Sequence, residues 1–117
     1  MVLEIDTSSK KNIKLALISQ KMRKEHEFAA PFSQAERLLP EIKRFLKDNQ
    51  VNLADIKEIV VNNEGSSFTS LRIGVTTANA LAFALSIPVR AMNNEKSGNY
   101  VAPQYDREPN ITVKNDK

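Results

Sequence analysis

VLEIDTSSKKNIKLALISQKMRKEHEF, residues 2–28, sets the frame for the rest of the chain. In its first segment Leu3 and Ile5 share one parity while Val2, Glu4 and Asp6 share the other, the period of a strand with one buried face. Thr7-Ser8-Ser9-Lys10-Lys11-Asn12 is a turn cluster. Ile13-Lys14-Leu15-Ala16-Leu17-Ile18 is a second strand that becomes apolar on both parities. Ser19-Gln20 closes a tight hairpin, and Lys21 to Phe28 form a third strand. Lys21, Arg23, Glu25 and Glu27 give it a charged face, and Met22, Lys24, His26 and Phe28 a mixed one. So much charge predicts an edge strand protected against further pairing.

Downstream, residues 33–49 read as a helix. Ser33 and Glu36 have capping-box spacing, and Ala35, Leu38, Leu39, Ile42, Phe45 and Leu46 repeat at helical intervals. Pro40 removes one amide donor, so the helix either bends there or becomes regular near Leu38. Ile59-Val60-Val61 is a compact apolar strand, of the kind buried on both faces of a mixed or parallel sheet. A second helix follows from Thr69 to Leu85, and Val89-Arg90-Ala91-Met92 is a last short strand. Residues 93–117 are polar and read as an extended tail. The order β-β-β-α-β-α-β predicts an α/β layered fold: a mixed five-stranded sheet, three antiparallel strands and then parallel ones, with two main helices. This is the ribonuclease-H-like layout.

Residues 73–89 contain no charged side chain. A helix lying on one sheet face should carry a charged outer side. The run is short for a membrane span and contains Thr76, Thr77, Asn79, Ser86 and Pro88. Leu71, Val75, Ala78, Ala82 and Leu85 make one stripe, and Ile73, Thr77, Ala80 and Ala84 another. Two coverings account for this: a partner's helices, or the chain's own first helix and tail. An exposed patch of this kind on a small protein marks a contact site.

Composition narrows the chemistry. The 117 residues fit one domain. With no Cys there is no disulfide, thiolate metal site or Cys nucleophile, and the single His26 excludes sites built on several imidazoles. A net charge of +3 is too small for a nucleic-acid stripe. The N-terminal residues lack signal-peptide order, so a cytoplasmic location is expected.

Three ordered stretches resemble one family. Ile5-Asp6-Thr7-Ser8, Arg37-Leu38-Leu39-Pro40, and Ser67-Phe68-Thr69-Ser70-Leu71-Arg72-Ile73-Gly74-Val75, with Ala78, Leu81-Ala82 and Ile87-Pro88 after them, are similar to the bacterial TsaB (YeaZ) family. Residues 2–92 match its order and spacing, and Tyr105 to Thr112 resemble its C-terminal ending. The resemblance implies an actin-like, ribonuclease-H-like fold and a non-catalytic partner of the TsaD-type enzyme, which installs threonylcarbamoyl on adenosine beside the anticodon of certain tRNAs. It also implies pairing through the two helices, with that enzyme or with a second copy, and contact with tRNA only through the complex. Leu38, Leu39, Ile42, Leu71, Val75, Ala78 and Ala82 are the interface candidates and divide between sheet packing and partner. No membrane association is expected.

The departures from the family shape further expectations. The family has two domains, whereas here residues 1–94 form the ribonuclease-H-like unit and residues 95–117 a tail. The family's His-Ser falls on Gln34-Ala35, its loop glycines on Glu64, Ser66 and Ser70, and its loop proline on Gly65. An actin-like nucleotide site needs two domains and glycine turns that admit phosphate to the backbone, so no cofactor is expected.

The acidic and hydroxyl residues allow other chemistry. Asp6 after the first strand and Glu64 after the fourth, with Glu36 or Glu41, would suit a two-metal nuclease. The competing reading has Asp6 accepting from its own turn and Glu64 as a solvated acid, and leaves no catalytic or metal-ligating residue expected. His26 reads as a surface residue. Ser67 and Thr69 read as helix caps. Gly65-Ser66-Ser67 has the form of an anion loop. Lys10, Lys11 and Lys14, and Lys43, Arg44 and Lys47, read as solvated faces.

Overall fold

The computed structural model describes residues 1–31, 34–65 and 67–105. The expected capping box falls on Ser33, and the family-like ending on residues after Tyr105, so both lie outside the described residues. The elements are β1 (Val2–Asp6), β2 (Asn12–Ile18), β3 (Arg23–Ala29), α1 (Gln34–Asp48), β4 (Glu58–Val61), β5 (Glu64–Gly65), α2 (Phe68–Leu85), β6 (Val89–Ala91) and β7 (Gln104–Tyr105). The main sheet runs β3-β2-β1-β4-β6. β1, β2 and β3 pair antiparallel, and β4 joins β1 and β6 in parallel. The expected five-stranded mixed sheet with two main helices is the fold observed.

Strand parity builds the core. Leu3 faces Leu17 and Ile59 across its two ladders, and Ile5 faces Leu15 and Val61. Ile59 and Val61 in turn face Val89 and Ala91. All of these are buried, and they pack with Leu38, Ile42, Phe45 and Leu46 of α1 and Val75, Ala78 and Ala82 of α2. Both helices therefore lie on one side of the sheet. Each of these branched side chains stabilises the fold by about 1.5–3 kcal/mol on burial.

The opposite parity finishes the other face with charge. Arg23 reaches Glu4 at 3.1 Å and Glu25 at 2.6 Å, and Arg90 reaches Glu58 at 3.4 Å. Ala16 and Val60 are buried on this parity, each flanked across the ladders by long charged side chains.

Several boundaries differ from expectation. Ser19 N–H donates to the Met22 carbonyl at 2.9 Å, so the turn takes four residues and β3 begins at Arg23, not Lys21. The first helix runs unbroken through Pro40, which is exposed. Both helices end on a non-glycine residue in the left-handed region, Gln50 (φ 59°) after α1 and Ser86 (φ 57°) after α2. Val51 N–H to the Leu46 carbonyl and Ile87 N–H to the Ala82 carbonyl complete matching Schellman closures.

The described part of the polar segment after β6, up to Tyr105, docks on the fold. Val89 and Gly98 exchange two 2.9 Å backbone bonds. The Asn79 side-chain amide donates to the Val101 carbonyl and accepts from its N–H, both at 2.9 Å. Asn63 donates to the Ala102 carbonyl at 2.8 Å, and β7 pairs with β5 in parallel. Val101 is thereby buried in the core.

Candidate partner interface

Gly74 fixes how α2 sits. A Cβ on it would overlap Thr7 Oγ1 and lie 3.0 Å from Thr7 Cγ2. Glycine lets the helix backbone meet the end of β1, and Thr7 Oγ1 donates to the Ser70 carbonyl at 2.5 Å. With that side seated, Leu71, Val75, Ala78 and Ala82 turn inward. The outward row, spaced by four, is Arg72, Thr76, Ala80 and Ala84, all exposed. Phe83 stands beside it with 87% of its surface exposed. By length and composition α2 passes as a membrane-crossing helix, yet one of its sides is built into the sheet core.

The seven interface candidates separate. Leu38, Ile42, Leu71, Val75, Ala78 and Ala82 are each no more than 2% exposed and face the chain's own interior. They belong to the stripe that the sheet takes first. Leu39 alone points out, 40% exposed. The exposed outer positions of the helical layer include Ala35, Leu39 and Lys43 on α1, and Arg72, Thr76, Ala80, Phe83 and Ala84 on α2, while Ile73 is half-buried against the core. The sequence pattern separates the stripes of Ala78 and Ala80 but puts Ala78 among the interface candidates, whereas Ala78 is buried and Ala80 exposed. The signal separating them was the phase of Gly74 against the Thr7 turn.

The candidate chemistry disperses. Asp6 Oδ1 accepts from Ser8 N–H at 2.9 Å, Ser8 Oγ at 2.7 Å and Asn62 at 3.3 Å, satisfied by its own turn and the loop after β4. Glu64 is bonded to Asn93. Glu36 is exposed on α1, and Glu41 points toward β3. Among the described residues no three acids or histidines gather as a metal site. Ser67 occupies the N-cap position, but its hydroxyl pairs with Ser70 Oγ instead of a helix amide.

His26 is more embedded than expected. It stacks on Phe28 and Phe45 with centroids 5.4 and 5.6 Å away, and its Nε2 lies 3.3 Å from Glu41 Oε1. Arg37 donates to the same carboxylate at 3.1 Å, donates to the Ala29 carbonyl at 2.8 Å and lies over Phe28. Burial pushes the Glu41 carboxyl up, but hydrogen bonds from Arg37 and His26 outweigh it and hold it below the ordinary carboxylate value. The cluster fastens edge strand β3 to α1. The separation of fifteen positions between His26 and Glu41 hides it from local pattern.

A family model described as TsaD, tRNA N6-adenosine threonylcarbamoyltransferase, matches residues 29–112. The chain is similar to the tRNA threonylcarbamoyladenosine biosynthesis protein TsaB of Bacillus subtilis, 38% identical over 58 residues that cover 50% of this chain and 25% of the relative. The TsaB protein of Buchnera aphidicola is 29% identical over 97 residues, covering 76% of this chain and 42% of the relative. In three dimensions YeaZ from Pseudomonas aeruginosa superposes with a TM-score of 0.72 at 32% identity, covering 78% of this chain and 42% of that one. The chain thus spans less than half the length of each.

Proposed function

This chain belongs to the threonylcarbamoyltransferase (TsaD-type) family, on its TsaB/YeaZ side, and on that premise we propose that it is a non-catalytic scaffold in tRNA threonylcarbamoyladenosine synthesis. It pairs with the TsaD-type enzyme through the outward face of α1 and α2 and meets tRNA only through that complex, in the cytoplasm. The observation that carries this is the exposed outer row of α2, uncharged after Arg72 through Thr76, Ala80 and Ala84, together with an 87% exposed Phe83 on α2 and a 40% exposed Leu39 on α1. A contiguous uncharged helix surface on a small domain is the signature of a protein contact. Residues 1–94 act as the folded unit and residues 95–117 as its tail, whose part up to Tyr105 straps onto α2 and β5. The alternative occupant of the same face is a second copy, giving a stand-alone homodimer.

Reconstituted modification tests the role. Purified TsaD-type enzyme from the same source, with the other components of the reaction and unmodified tRNA, should form the modified adenosine only when this chain is added. Ala80→Arg should abolish the chain's ability to support the reaction without unfolding it. Equal modification with and without the chain would overturn the scaffold role.

A further inference from the structure

The rim of the helical face is basic. Lys43 and Lys47 continue the Ala35–Leu39 row of α1 at intervals of four, and Arg72 heads the outward row of α2. All three are exposed, and none makes an ion pair or hydrogen bond among the described residues. Acids on the outer side of α1 do not cancel them. Asp48 lies 3.9 Å from Arg44, and Glu36 has no partner among the described residues. The centre of the face is uncharged, with Leu39, Thr76, Ala80 and Ala84.

A two-fold pair of identical copies would set this basic rim against itself, because an isologous interface repeats one patch on both sides. Like charges brought together suppress a wrong partner, and opposite charges speed and fix the right one. We infer that this face selects a partner whose helical surface has an apolar centre and an acidic rim, in preference to a second copy of this chain. The inference rests on the scaffold reading above and adds the partner's chemistry to it.

The chain itself supplies the probe. The variant carrying Lys43→Glu, Lys47→Glu and Arg72→Glu has the same apolar centre with the rim reversed, and circular dichroism should show it folded like the parent. Sedimentation velocity then compares each protein alone with an equimolar mixture. In about 50 mM salt the mixed pair should form on the order of tenfold more tightly than either self-pair, and the difference should shrink in about 500 mM salt, where the screening length falls to a few ångströms. Self-pairing of the parent as tight as the mixture at both salts would overturn the inference, as would no mixed pair at all. Binding of the parent, and not of the variant, to vesicles containing phosphatidylglycerol without any mixed pair would overturn it in favour of an anionic surface. Ala80→Arg in both chains separates the two levels. A mixed pair that survives it forms elsewhere and defeats the scaffold face itself. A pair lost to it but indifferent to rim charge defeats only the partner's chemistry.

Discussion

Thr7 and Gly74 are in direct contact: the side chain of one occupies the space where a side chain on the other would be. Thr7 is wholly buried and donates to the Ser70 carbonyl, so the end of β1 and the first turns of α2 form one joint. The motif after β1 and the motif opening α2 are two halves of this contact.

Gly74→Ala should therefore destabilise the fold by about 1–3 kcal/mol, the usual cost of overpacking. Thr7→Ala vacates the space. In chemical denaturation the double variant should lose less than the sum of the single losses, because the two sites share one volume. Strict additivity would mean that the joint is not tight.

Asn79 governs the strap. Asn79→Ala removes both bonds to Val101 and leaves that backbone N–H and carbonyl without their partners. A loss of about 1–3 kcal/mol is expected. Hydrogen exchange should find the Val101 amide deprotected while the amides of β1 and β4 keep their protection.

Acid should loosen β3 from α1. The Glu41 carboxyl is held below its ordinary value of 4.5 in the fold, so its contribution to stability is complete above that value and is lost as pH falls through the depressed one. Glu41→Gln should be less stable than the parent at neutral pH. The two stability curves should converge on acidification below the usual carboxylate range. A gap independent of pH would assign the loss to packing instead.

Neighbouring positions on each helix should behave oppositely. Ile42→Ala should cost about 2–5 kcal/mol as a core cavity, and Leu39→Ala under about 1 kcal/mol. Ala78→Arg should prevent folding by placing a charge in the core, whereas Ala80→Arg should leave the thermal transition close to the parent's.

The sheet was legible because its core is written in alternation. Leu3, Ile5, Ile13, Leu15 and Leu17 are apolar at every second place, and the structure buries all five. The charged third strand announced an edge, and β3 is one. The inward side of α2 was not legible. Alanines occupy both of its sides, and hydrophobicity alone gives 78 and 80 equal claims on the core. Tertiary contact with Thr7 sets the rotation, which local pattern cannot encode. The strap was hidden because its hold is two side-chain amides, Asn63 and Asn79, on backbone groups, which needs no apolar period. The His26–Glu41–Arg37 cluster joins a strand to a helix through pairing that only the folded topology creates.

The pairing face is tested most directly by light scattering on a size-exclusion column, with the TsaD-type enzyme from the same source added to the parent chain or to Ala80→Arg. A scaffold face on α2 requires a mixed peak with both chains for the parent and separate peaks for the folded Ala80→Arg variant. A mixed peak that persists in Ala80→Arg, or none with the parent, would contradict it.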